Sequence, residues 1–216
     1  INDENRSGST SVVADTKDVY SDNNCYAFCK VEKIGTSIKC IDNVIDSEHG
    51  IGVDIFPIES LPANKILCFL HGIHVNALLF ICACTQQKQH LPYMAQILQQ
   101  SCEGRKKLIL RNLIGTIFSF KSSVWWFKHT NAFMGKQYKS NMMSIPSGRG
   151  HYFGEMHEDD VFTSAISADF ENCSALIPAG YERYLEKLYG NYMQLPPLDK
   201  REKHFIIEIH FGDKSN

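Results

Sequence analysis

The stretch GIGVDIFPIESLP, residues 50–62, decides how this chain is read. Its segment GVDIF (52–56) is short, β-branched and aromatic, which predicts a strand, and Pro57 limits how that strand continues. Period-2 geometry puts Asp54 on the face opposite Val53 and Ile55. A carboxylate buried inside such a strand without a partner is costly, so Asp54 is expected to face solvent, a hydrogen-bond donor or a cation.

Upstream, DNVIDSEHG reads as a charged loop, and CYAFCKVEKIGTSIKCI (25–41) predicts a β-hairpin turning at Gly35–Thr36. Residues 1–24 are rich in Ser, Asn and Asp and predict a mobile or poorly packed arm, leaving 25–216 as the folded domain. Downstream, a helix is expected to begin after Pro62, capped by Asn64, and to carry ILCFLHGIHVNALLFICACT (66–85) to about Thr85. The length of that run suits a bilayer span, but His71, Gly72, His74 and Asn76 interrupt its centre. A buried or membrane-contacting helix is therefore the expectation. Residues 91–120 are helical in pattern, with the basic patch GRKK at 104–107, and 122–133 predicts a helix with an aromatic face. The Gly- and Pro-rich stretch 144–160 reads as a loop, with short strands after it around 168–170 and 175–177. Tyr181, Tyr184, Leu185 and Leu188 then fall on one side of a helix that Gly190 stops, and the end, KHFIIEIHFGDKSN, is strand-like.

Composition narrows the function classes. The 216 residues are 44% hydrophobic and 21% charged, enough for a substantial core, and a net charge of −2 gives no overall basic surface for nucleic acid. Eight cysteines, at 25, 29, 40, 68, 82, 84, 102 and 173, form no C-x-x-C pair, so reduced and mostly buried thiols are expected. Cys25, Cys29 and His49 lack the second close pair that would complete a zinc set. No basic region followed by an apolar one opens the sequence, so no signal peptide is expected.

Three segments together resemble the LicD family, which includes phosphocholine transferases of bacterial surface polysaccharides and the fukutin-related proteins. YAFCKVEKIGTSI is similar to the family's aromatic–Lys…Thr segment, here with Lys30 and Thr36. HGIGVDIFPIESLP resembles its His-Gly-Ile-x-x-Asp-Ile-Phe-Pro run. DFENCSALIPAGYERYLEKLYGNYMQLPPLDKREKH resembles its Phe-Glu, Ile-Pro, Leu-Tyr-Gly and Leu-Pro-Pro block. They cover about residues 26–62 and 168–204, in the family's order. The resemblance implies an α+β, nucleotidyltransferase-like fold, with a small mixed sheet bearing acidic metal ligands and backed by helices. It implies transfer of a phospho-substituent, such as phosphocholine from CDP-choline, to a glycan acceptor, in the cytoplasm or at the inner face of the membrane. Mg²⁺ or Mn²⁺ would neutralise the charge that develops on the diphosphate.

The family's Gly-rich turn and Asp-x-Asp pair are missing from this sequence, so the fold is expected to be incomplete at its N-terminus and the chain either a fragment or a pseudoenzyme. The resemblance makes Asp54 the surviving carboxylate, a metal ligand or an acceptor of the attacking hydroxyl's proton. Lys30, His49, Arg201 and His204 are candidate contacts to donor phosphate or substrate, each with a solvated surface role as its alternative. Glu59 and Glu171 are weaker candidates. Tyr181, Tyr184 and Tyr189 read as packing residues, while Trp125, Trp126 and Phe127 are alternatives for boxing a choline headgroup. The run His157–Asp160 reads as a solvated acidic loop. A non-catalytic glycan- or nucleotide-binding protein of the same fold is the competing reading.

Overall fold

A computed structural model describes residues 10–12, 20–21, 24–25, 28–40, 50–89, 102–198, 201 and 206–211. The architecture is α+β: among the described residues five helices accompany several small sheets, and every strand pairing is antiparallel, where a mixed sheet was expected. The chain divides into two compact units.

The first unit draws on residues 1–55, 81–127 and 202–216. Strand β1 (Thr10–Val12), which the sequence places in the polar arm, pairs with β4 (Cys29–Lys33), and β4 pairs in turn with β6 (Gly52–Ile55). β2 (Tyr20–Ser21) pairs with β3 (Asn24–Cys25). β5 (Ser37–Cys40) pairs with β12 (Ile206–His210). The expected hairpin over 25–41 is thus corrected. Gly35, at φ +77°, turns the chain between β4 and β5, and the Thr36 N–H donates to Lys33 O at 3.3 Å. The two strands then enter different sheets. Their partners β1, β6 and β12 come from elsewhere in the sequence.

The helical part of this unit holds the end of α1 (Lys65–Gln89), all of α2 (Cys102–Ile117) and the start of α3 (Ser123–Met134). Cys82, Cys84, Leu108, Trp126 and Phe127 are its buried apolar residues. α1 and α2 pack at backbone contact, since a Cβ on Gly115 would lie 2.5 Å from Cys84 O. Arg111 donates across the pair to Gln87 Oε1 at 3.3 Å. After α2, Trp126 Nε1–H donates to Phe118 O at 2.9 Å, and Phe118 and Phe120 meet its ring edge-on.

The second unit holds residues 56–80 and 128–201. As expected, Asn64 caps α1: its Oδ1 accepts the N–H groups of Ile66 at 2.9 Å and Leu67 at 3.1 Å, two of the donors a helix start leaves open. Cys68, His71, Gly72, Val75 and Leu78 form its buried face at helical spacing. Gly72 belongs there for a steric reason, because a Cβ would come within 2.5 Å of the Tyr152 and Phe153 rings. By length and composition Lys65–Lys88 is apolar enough to cross a membrane; a third of it is buried in the fold.

The stretch 144–160, expected to be a loop, is built instead of short elements. β8 (Met142–Ser144) pairs with β7 (Glu59–Ser60) and with β9 (His157–Glu158); α4 (His151–Gly154) lies between them and a 3₁₀ turn (Asp159–Val161) follows. Tyr152 is the reason: its side chain is fully buried, and its carbonyl accepts the Ser144 hydroxyl at 2.7 Å. β10 (Ala165–Phe170) and β11 (Cys173–Pro178) form a hairpin. α5 (Tyr181–Tyr189) then half-buries Tyr181, Tyr184, Leu185 and Leu188, as its spacing predicts. Gly190, at φ +67°, ends it by donating its N–H to Glu186 O at 2.7 Å. Of the cysteines, Cys68, Cys82 and Cys84 are free and buried as expected, whereas Cys173 is free and exposed.

Candidate functional site

Asp54 sits on β6 and is exposed. Val53 and Ile55 are exposed as well, so no described residue covers the apolar face that the strand pattern anticipates. In the β4–β6 ladder Lys30 occupies the register position opposite Asp54, followed by Val31 opposite Val53 and Glu32 opposite Gly52. The strands approach too closely for any side chain at position 52: a Cβ there would lie 2.4 Å from Val31 O and 3.1 Å from the Glu32 Cα.

The entry to β6 is held by the residues that carry the sequence resemblance. Thr36 Oγ1 accepts the Ile51 N–H at 2.9 Å and donates to Lys33 O at 2.6 Å. Lys33 N–H donates to Ile51 O at 2.8 Å, and Glu32 Oε2 accepts the Gly50 N–H at 3.2 Å. The structure therefore brings 28–38 and 50–55, parts of two separate matched segments, into one ladder with Asp54 and Lys30 at opposed positions.

Other predicted residues fall elsewhere. Arg201 is exposed, and its Nε–H donates to Pro196 O at 2.9 Å, closing the Leu-Pro-Pro turn rather than presenting a free guanidinium edge on that side. His49 and His204 lie outside the described residues. Glu59, on β7, is half-buried, and burial raises its pKa above the usual carboxylate value. Glu171 is exposed at φ +50° in the two-residue turn of the β10–β11 hairpin, so it is a turn residue and not a strand residue. Tyr189 is exposed, with the Arg149 guanidinium 5.4 Å from its ring centroid.

Sequence reasoning passed over the buried polar groups of the second unit. Glu155 is 1% exposed, yet its carboxylate has two donors: the Gly150 N–H at 2.7 Å and the Tyr184 hydroxyl at 3.0 Å. Burial, and next the adjacent carboxylate, push the Tyr184 phenol far above its ordinary range, fixing it as a donor. His157 is buried against the rings of Tyr184 and Phe162, which corrects the reading of 157–160 as a wholly solvated acidic loop. Burial, then the charges of Lys187 and Arg183, lower its pKa and favour the neutral ring. Lys187 donates to Met156 O, and Arg183 pairs with Asp160 at 2.5 Å. Nearby in the same unit, the Tyr152 hydroxyl lies 3.0 Å from His71 Nδ1 and 3.4 Å from Cys68 O. His71 stacks on Phe133 and meets Tyr138 edge-on. Its pKa is lowered by burial first and then by His74 and Lys136. These groups join α1, α4 and α5 through hydrogen bonds. The advance signal was Glu155 directly following the glycine- and aromatic-rich run GRGHYFG, residues 148–154.

Among the described residues no group of three or more His, Cys, Asp or Glu side chains assembles as a metal set. Glu32, on the neighbouring strand, spends an oxygen on Gly50, and the sequence contains no Asp-x-Asp. Asp54 by itself therefore does not fit the Mg²⁺ or Mn²⁺ that the resemblance implies, because such ions are held by several oxygens. Comparison with protein-family models, with curated proteins and with solved structures gave no match.

Proposed function

We propose that this chain is a LicD-type domain, of nucleotidyltransferase-like fold, that serves transfer of phosphocholine or a similar phospho-substituent from a nucleotide-activated donor such as CDP-choline to a cell-surface glycan precursor. The reading places it in the cytoplasm or on the inner face of the membrane. One observation carries it: Thr36, Gly50 and Gly52, separated in sequence and all within resembling segments, meet in the ladder that sets exposed Asp54 opposite Lys30. In this reading Asp54 accepts the proton of the attacking hydroxyl and Lys30 supplies positive charge to the donor diphosphate. Among the described residues no further carboxylates join Asp54 to hold Mg²⁺ or Mn²⁺.

That same shortage of carboxylates favours a second reading, a non-catalytic binder of the donor nucleotide or the glycan. The two are separated by following labelled choline from CDP-choline into glycan while measuring CDP-choline binding at equilibrium, with and without Mg²⁺. Transfer that is lost in Asp54→Asn while binding persists supports the enzyme. Binding without transfer in the unmodified protein supports the binder. Absence of both binding and transfer rejects the family assignment itself.

A further inference from the structure

The helical part of the first unit presents a surface that the proposed site does not use. α2 turns Gly104, Leu108 and Gly115 inward, where all three are buried, with Gly115 at backbone contact with α1. Its outward face carries Ile109, Leu110, Leu113 and Ile117, between 53% and 68% exposed and spaced to form one ridge. An ordinary surface helix is arranged the other way round, apolar inward and polar outward. The turn after α2 adds Phe120, 68% exposed, and α3 adds Trp125 at 40%.

Cations flank this apolar ridge. Arg105, Lys106 and Lys107 are exposed at its start and Lys121 beyond its end, with Lys121 Nζ 5.4 Å from the Trp125 ring centroid. Residues 102–127 contain five Lys and Arg against one acid, Glu103, in a chain whose net charge is −2. We propose that this face seats on an anionic lipid bilayer. α2 lies in the plane of the interface, its aliphatic ridge and Phe120 reach the acyl boundary, Trp125 sits at headgroup level, and the cations face lipid phosphates. Charge complementarity selects this occupant together with the apolar ridge. A nucleic acid would answer the cations and leave four aliphatic side chains in water. A second copy of this chain would have to answer five cations, while its own residues 102–127 carry Glu103 as their one acid.

The test is flotation of the full chain with phosphatidylserine-containing vesicles and with neutral phosphatidylcholine vesicles; it uses no nucleotide donor and stands apart from the transfer reading. Expected is binding to the anionic vesicles that weakens with salt. Arg105→Glu with Lys106→Glu should weaken partition by roughly a thousandfold, each reversal removing an attraction and adding a repulsion. Leu113→Glu should weaken it at any salt concentration. All three positions are exposed, so far-ultraviolet circular dichroism should be unchanged, which separates lost docking from lost folding. The proposal is overturned by equal binding to neutral vesicles, by binding that neither variant alters, or by no binding. It is equally overturned if RNA rather than vesicles is retained, or if Leu113→Glu only dissolves a dimer.

Discussion

Gly52→Ala tests whether the β4–β6 ladder is as close as the structure shows. A methyl at residue 52 would meet Val31 O at 2.4 Å and the Glu32 Cα at 3.1 Å, both backbone atoms that cannot rotate away. Overpacking against a fixed wall costs about 1–3 kcal/mol. The same change restricts the unfolded chain and returns about 0.4–1 kcal/mol. The net destabilisation is then about 0–2.6 kcal/mol, or a melting temperature lower by up to about 10 °C for a chain of this length. Gly154→Ala supplies the control, since a Cβ there meets nothing within 4 Å and Gly154 has no left-handed φ. Only the entropic gain should remain in that variant, about 0.4–1 kcal/mol of added stability. Urea denaturation of both variants measures the difference, and amide hydrogen exchange across 29–33 and 52–55 shows whether the loss is local to the ladder. If Gly52→Ala is as stable as Gly154→Ala, with unchanged exchange in both strands, the close approach of β4 and β6 is refuted. The register that opposes Lys30 to Asp54 falls with it.

Tyr152→Phe deprives His71 Nδ1 of its neighbour in a buried site where Nε2 already has no partner, so it should cost about 1–3 kcal/mol in urea titration. His71 and His157 both have folded pKa values below that of an ordinary histidine, so the unfolded chain binds more protons as pH falls. Their contribution is complete above about pH 6.5 and is lost as pH drops through the folded values. Stability measured from pH 7.5 to 5 should therefore decline, and His157→Gln should flatten the decline. Asn64→Ala removes the acceptor for the Ile66 and Leu67 N–H groups and should cost about 1 kcal/mol by chemical denaturation.

Much of the secondary structure was legible because its causes are local. The alternation in GVDIF made a strand, Asn64 offered a side-chain oxygen to a helix start, and Gly190 supplied the left-handed residue that ends α5. Pairing was less legible. The run 25–41 has the composition of a hairpin, yet β4 and β5 pair with strands that are distant in sequence, and no property of 25–41 announces them. The candidate site was half legible. Strand period and the resemblance marked Asp54, whereas the opposition of Lys30 to it is a matter of register, which only the folded ladder fixes.

Sequence by itself determined the α+β class, the capped apolar helix, the tyrosine-faced helix and one unusual carboxylate in a strand. Tertiary structure alone decided which polar groups are buried and which apolar groups are not. Glu155 reads as one more acid in a charged stretch until Tyr184, 29 residues away, and the Gly150 N–H provide its donors. The ridge Ile109, Leu110, Leu113 and Ile117 reads as a core face until Gly115 is seen to take the inward position against α1. Both reversals have one physical reason. Periodicity says which residues share a face, but the direction that face takes depends on the shape of what packs against it. In α2 Gly115 allows the closer contact with α1, so it takes the inside.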